Sequence, residues 1–178
     1  MTHRPLVELE AAVDEIRRSP RESGIVELIV RRPAENEREV LEEGMLDLDE
    51  GLVGDAWGLG SGGRTPHPDR QLNVMNARVI ALLAMERDRW PLAGDQLYVD
   101  FDLSVDNLPP GTRLAIGSAV IEITAPPHRG CAKFRERFGD AALRFVNSPV
   151  GIELNLRGVN AKVVQPGLVR QGDSVTKL

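Results

Sequence analysis

The chain's one cysteine, Cys131, lies in the run Pro126-Pro127-His128-Arg129-Gly130-Cys131-Ala132-Lys133-Phe134. A thiol acts as nucleophile or soft metal ligand in its thiolate form, which neighbouring cations favour. A lone cysteine is otherwise a small buried hydrophobe, so His128, Arg129 and Lys133 carry the case for reactivity. The paired prolines end any preceding strand, because neither has an amide N–H to donate. A helix starting at Ala132 and running to about Phe138 would add its first amides to the thiol's surroundings. His128-x-x-Cys131 is not a structural zinc site, since such sites take four Cys or His ligands and this chain has one Cys and three His. A Cys–His–Asp hydrolase needs no proximity in sequence, but no nucleophile motif of that kind is present.

At 178 residues, with 42% hydrophobic and 28% charged side chains, the chain suits one soluble globular domain. The net charge of −5 gives no general attraction for nucleic acid or anionic membranes. Aromatics are only 4%, which disfavours a base-stacking surface. No apolar run is long enough to span a bilayer, and the N-terminus lacks an apolar signal-peptide core. One thiol cannot form an intramolecular disulfide, in keeping with a reducing compartment, so a cytoplasmic location is expected.

Several elements must position the thiol. Leu6, Leu9, Val13 and Ile16 at helical spacing predict an N-terminal helix ending at Ser19-Pro20, so residues 1–20 form a helical extension to a domain spanning 21–178. Gly24 to Arg32 reads as a strand. Residues 34–49 are charged and ambiguous, either a short helix or a surface excursion. Gly51 to Gly63, with six glycines and Trp57, predicts a long irregular loop. Gln71 to Met75 reads as a strand, and Asn76 as the cap of a helix reaching about Arg87. Apolar alternation over Val99–Val105, and again over Ile152, Leu154 and Leu156, suggests half-buried strands. Gly117-Ser118 turns a hairpin between Arg113–Ile116 and Ala119–Ala125, and the chain ends in strands over Val159–Val164 and Val169–Thr176. Asp55 and Asp173, each after a glycine, read as turn residues. Short strands, frequent glycine turns and two to four helices predict a mainly β fold, closed or nearly closed into a barrel.

Taken in order, the pieces resemble the MOSC family, named for the C-terminal region of molybdenum cofactor sulfurases. They are Gly51-Leu52-Val53-Gly54-Asp55, Asp69-Arg70-Gln71, Gly94-Asp95-Gln96-Leu97, Ile121-Glu122-Ile123-Thr124 leading to Cys131, Arg157-Gly158-Val159, and Pro166-Gly167 with Gly172-Asp173-Ser174-Val175. The resemblance runs from about Gly24 to Thr176. It implies a MOSC-type β-barrel and a functional cysteine at Cys131.

Two roles go with that family. One is binding of molybdenum cofactor (molybdopterin) with the cysteine as molybdenum ligand, in reduction of N-hydroxylated compounds through electron-transfer partners. The other is carriage of persulfide sulfur received from a cysteine desulfurase, whose pyridoxal phosphate would sit on the partner and not on this chain. A non-catalytic binding barrel is the third possibility. An anionic pterin ligand calls for arginine forks, lysine and amides. The implied cofactor-binding residues are Arg70, Arg129, Lys133 and Arg157, with Asp95 and Gln96 at the pterin edges. Two departures stand out: Gly94-Asp95-Gln96-Leu97 replaces Gly-Glu-Asn-Leu, and Pro127-His128-Arg129-Gly130-Cys131 replaces Pro-Arg-x-Pro-Cys or similar. A glycine at position 130 is expected to loosen the loop presenting the thiol.

Overall fold

The structure is a computed structural model that describes residues 3–60 and 65–178. Its strands are β1 (Ser23–Arg31), β2 (Glu39–Leu41), β3 (Glu43–Asp47), β4 (Gly51–Leu52), β5 (Leu72–Asn76), β6 (Leu97–Asp100), β7 (Arg113–Ile116), β8 (Ala119–Ile123), β9 (Val159–Gln165), β10 (Gly167–Arg170) and β11 (Ser174–Lys177). Seven of them close a ring in the order β1-β6-β5-β9-β8-β7-β11, and β11 pairs back onto β1. β5 and β6 run parallel and every other neighbouring pair in the ring is antiparallel. Closure leaves no free edges on the ring strands. β2 extends β1 beyond the ring, and β10, β3 and β4 form a small separate sheet. This is the closed barrel that the strand pattern and the resemblance led us to expect, and the parallel β5–β6 pair makes it a mixed one.

Two apolar cores follow from alternation along the strands. Ile29, Leu72, Val74, Leu97, Val99, Ile121 and Val163 fill the barrel interior. Val30, Met75 and Tyr98, their neighbours in sequence, point outward and meet Leu9, Ile16, Ile80, Phe134, Phe138 and Phe145 in a second core. These outward residues explain why β1, β5 and β6 read as nearly continuous apolar runs: both of their faces are covered.

Among the described residues, five α-helical segments cover the barrel: α1 (Leu6–Ala11), α2 (Val13–Arg17), α3 (Ala77–Ala84), α4 (Ala132–Val146) and α5 (Pro149–Glu153). The N-terminal helix is split at Ala12, and α1 packs on α4 of its own chain. Asn76 caps α3 by accepting from the Arg78 amide, as its position suggested, but α3 stops at Met85, whose φ is +65°. α4 is broken at Gly139, where φ is +88°.

Four expectations are corrected. Residues 39–47 form two short strands, not a helix; β3 pairs with β10 through Gly167↔Leu46 to Arg170↔Glu43, a contact invisible to local reading. The Ile152–Leu156 alternation is not a strand, because Ser148 caps α5 by accepting from Gly151 N and Pro149 occupies the first turn, the usual chemistry of a helix start. The alternation through Val105 outruns its strand, since β6 ends at Asp100. The final strand divides at Gly172-Asp173 into β10 and β11, in different sheets, with Asp173 Oδ2 accepting from Arg170 N in the turn. None of the described helices is long and apolar enough to cross a membrane.

Candidate functional site

β1 ends where β5 and β6 begin, because β1 is antiparallel to β6 and β5 is parallel to it. β8 exits beside the start of β5, since Ile123 is in register with Ala161 and Ala161 with Leu72. One end of the barrel therefore collects Arg32 after β1, Arg70 before β5, Gly94 before β6 and the loop from Thr124 to Cys131. These segments surround an open cavity of about 670 Å³, within the usual range for small-molecule sites.

Two side-chain amides fix the thiol-bearing loop. Asn160, 2% exposed, donates Nδ2 to Pro126 O (2.8 Å) and accepts from Asn73 Nδ2 (2.7 Å), tying the loop's start to the cavity wall. At its other end Asn147 Oδ1 accepts from Gly130 N (2.9 Å) while Asn147 Nδ2 donates to Gly130 O (3.1 Å). A β-carbon at Gly130 would lie 2.8 Å from Leu143 and 2.9 Å from Val146. Gly130 thus lets the loop press onto α4, and it is held there. The loosening expected of glycine is replaced by a two-bond clamp, for which the distant Asn147 gave no local signal.

Cys131 follows in extended conformation just ahead of the first turn of α4, exposed and lining the cavity. Phe134, one turn on, is buried beneath the same wall, with its ring 4.9 Å from the Phe138 ring and under the Arg157 guanidinium. Among the described residues, six cations line the cavity: Arg32, Arg38, Arg70, Lys133, Arg137 and Arg157. Three of them face carboxylates. Arg32 grips Asp55 with Nη2–Oδ2 at 2.7 Å and Nε–Oδ1 at 3.0 Å, Arg157 grips Asp95, and Lys133 pairs with exposed Glu35 at 2.9 Å. The remaining three have no carboxylate partner among the described residues. A cationic hollow on an acidic protein is a built-in preference for anions.

The residues named from sequence fall into three groups. Cys131, Arg70, Lys133 and Arg157 share the cavity wall, whereas Arg129 lies outside it and lines a smaller neighbouring cleft of about 180 Å³. Asp95 and Gln96 are fully buried behind the wall. Asp95 receives both of its bonds from Arg157 Nη1, at 2.9 and 2.8 Å, and Arg157 Nη2 donates to Ala93 O. Burial pushes the Asp95 carboxyl up from its ordinary value, and the Arg157 guanidinium offsets part of that. Gln96 accepts from Asn73 N and donates to Asp55 Oδ2 and Gln71 O, so its amide is committed internally. Trp57 and His67 also line the cavity; Trp57 N donates to Asp55, and His67 Nδ1 accepts from Asp69 N. Arg32, Arg38 and Arg137 were not singled out by sequence, and Asp55 was read only as a turn residue. Their signal is spatial: they converge from β1, the 34–38 segment and α4.

His128 is the least satisfied group in the wall. Its side chain is 17% exposed, and its Nδ1 is sealed from solvent without a hydrogen bond, 3.6 Å from Asp95 Oδ1. Burial, then the charges of Arg157, Arg32, Arg70 and Arg129, hold its pKa well below the ordinary histidine value. The unfolded chain therefore binds a proton that the folded ring refuses. Stability is full above about pH 6.5 and falls as pH drops through that value, with a slope approaching about 1.4 kcal/mol per pH unit, until the folded imidazole also titrates. Urea unfolding between about pH 5 and 8 is expected to show this extra slope in the wild type and not in His128→Gln. Equal slopes would mean the ring is not held neutral.

Comparison with known proteins agrees with this architecture. The MOSC domain family matches residues 61–176, and the chain belongs to that family. No curated protein sequence matches it. Among solved structures it is similar to the YuaD protein from Bacillus subtilis, with a TM-score of 0.63 and 18% identity, covering 86% of this chain and 94% of that one. It is similar also to YiiM from Escherichia coli, with a TM-score of 0.56 and 20% identity, covering 86% of this chain and 69% of the other. At such identities the likeness concerns the fold alone.

Proposed function

We propose that the cavity binds an anionic molybdenum–pterin cofactor and that Cys131 supplies the protein thiolate to the metal. The observation that carries this reading is an exposed thiol lining a cavity whose cations outnumber their carboxylate partners. The donor set fits such a group: thiolate suits a soft, sulfur-bound metal, and guanidinium forks suit phosphate. Among the described residues no cluster of three or more His, Cys, Asp or Glu could hold a bare ion, so a metal at Cys131 would bring its other ligands with it. Arg70, Lys133 and Arg157 would contact the anion, and Asp95 and Gln96 would act from behind by fixing Arg157 and the Asp55–Arg32 pair. Bound there, the cofactor supplies two-electron redox chemistry, and an N-hydroxylated small molecule reduced through an electron-transfer partner is the matching substrate class.

Protein purified from a host that makes the cofactor is expected to carry molybdenum and pterin fluorescence, with the metal falling on the order of tenfold or more in Cys131→Ala, in keeping with loss of the thiolate ligand. Equal metal in both proteins removes Cys131 from the ligand role, and none in either sinks the reading.

The exposure of Cys131 favours a second reading, carriage of persulfide sulfur, because thiol exchange requires access. Incubation with a pyridoxal-phosphate-dependent cysteine desulfurase and free cysteine would then add one sulfur atom to the intact mass at Cys131. No adduct under conditions that load a known carrier counts against it.

A further inference from the structure

Gly94 stands at the meeting point of three guanidinium groups. Its carbonyl accepts from Arg32 Nη1 at 2.9 Å, and a β-carbon built on it would lie 3.4 Å from Arg38 Nη2 and 3.7 Å from Arg137 Nη1. Its φ of +86° already disfavours a side chain. Arg32 is neutralised by buried Asp55. Arg38 and Arg137 are not neutralised by any carboxylate among the described residues: both are anchored through backbone oxygens, each with one bond to the turn before Gly94. Arg38 Nε donates to Pro91 O (3.2 Å), Arg38 Nη1 to Glu37 O (2.6 Å) and Arg137 Nη1 to Leu92 O (2.8 Å). These bonds hold the two forks side by side, half-buried and facing the cavity, without cancelling either charge. Burial and the nearby Arg137 and Arg32 charges also lower the proton affinity of Arg38. Like charges fixed this close disfavour the folded state unless an anion joins them.

We propose that Arg38 and Arg137, converging over Gly94, form a subsite for a tetrahedral dianion of the phosphomonoester type. Arg137 lies six residues along α4 from Cys131, a rise of roughly 9 Å for helical geometry, so one elongated ligand could span the subsite and the thiol. The proposal rests on the cavity taking an anionic ligand, but not on molybdenum or on Cys131.

The test uses inorganic phosphate and a simple organic phosphomonoester, each against chloride at matched ionic strength, with calorimetric affinity and thermal midpoint as readouts. The wild type is expected to show a phosphate-specific rise in midpoint. Arg38→Gln and Arg137→Gln should each weaken binding at least tenfold while leaving the ligand-free midpoint unchanged or higher, since a repulsion is relieved. Arg38→Lys and Arg137→Lys keep the charge without the fork, and should weaken binding severalfold; they carry the test if a Gln variant folds poorly. A wild type without a phosphate-specific response overturns the proposal, and so does undiminished binding in the variants. Tighter binding of the ester than of phosphate supports the subsite as the end of a longer ligand's path, and equal binding supports it as a free-phosphate site. Cys131→Ala should bind phosphate like the wild type, so a failure of molybdenum loading leaves this result standing.

Discussion

Arg157→Met is expected to destabilise the protein by about 3–5 kcal/mol, the usual penalty for stripping one partner from a buried ion pair. Asp95 has no solvent exposure, and both of its side-chain hydrogen bonds come from Arg157. Without the guanidinium, the carboxylate must be ionised and unpaired, take up a proton, or draw water into the wall. Its folded pKa, already raised by burial, would rise further. A carboxyl with a raised folded pKa is a burden above its unfolded value, so the deficit should shrink as pH falls toward about 4. Replacing both members by apolar residues, Asp95→Leu with Arg157→Met, should recover much of the loss. Urea unfolding of the two single variants and the double variant measures the coupling. A loss below about 1 kcal/mol for Arg157→Met would place the pair in water, contrary to the structure.

Phe134→Ala is the second large effect, at about 3–5 kcal/mol for a buried aromatic cut to alanine. Phe134 is 2% exposed, packs on Phe138, and underlies the Arg157 guanidinium with 4.9 Å between ring centre and charge. It anchors the first turn of α4, directly after Cys131. Its removal should therefore loosen the thiol's helical support as well as the global fold. Modification of Cys131 by a thiol reagent, in conditions where the variant stays folded, should respond to that loosening, while Phe134→Leu should lie between the two in stability. Wild-type stability in Phe134→Ala would mean that the helix start is held by the loop clamp alone.

The sequence made the barrel readable wherever pattern and pairing coincide. The hairpin at Gly117-Ser118 is one case: its two strands lie in the register that the turn dictates, Ile116 opposite Ala119. The Asn76 cap is another, because a cap is a local device. Failures fall where distant contacts decide. Residues 39–47 carry too many charges to look like strands, and β10, over a hundred positions away, makes β3 one of them. Ile152 to Leu156 alternate by chance across the end of a short helix and the turn after it, a helix whose start is declared by Ser148-Pro149. The site divides the same way. Cys131 stood out through its neighbours in sequence, but Arg32, Arg38 and Arg137 acquire meaning only when β1, the segment after it and α4 meet at Gly94. Asp55 looked like a turn residue because its aspartate does serve Trp57 N; the grip on Arg32 comes from across the barrel mouth.

The seam between β1 and β11 joins Ser23 to Thr176 and Ile25 to Ser174, partners roughly 150 positions apart, and so distant a pairing makes closure a slow, late event in folding. A chain emerging from the ribosome has every cavity-lining segment, up to Arg157, before it has the strand that shuts the ring. Until then β1 and β7 offer bare edges to any neighbouring chain. The last strand acts as a latch, and a nascent molecule delayed before reaching it would be most exposed to misassembly just when its ligand site is already written out.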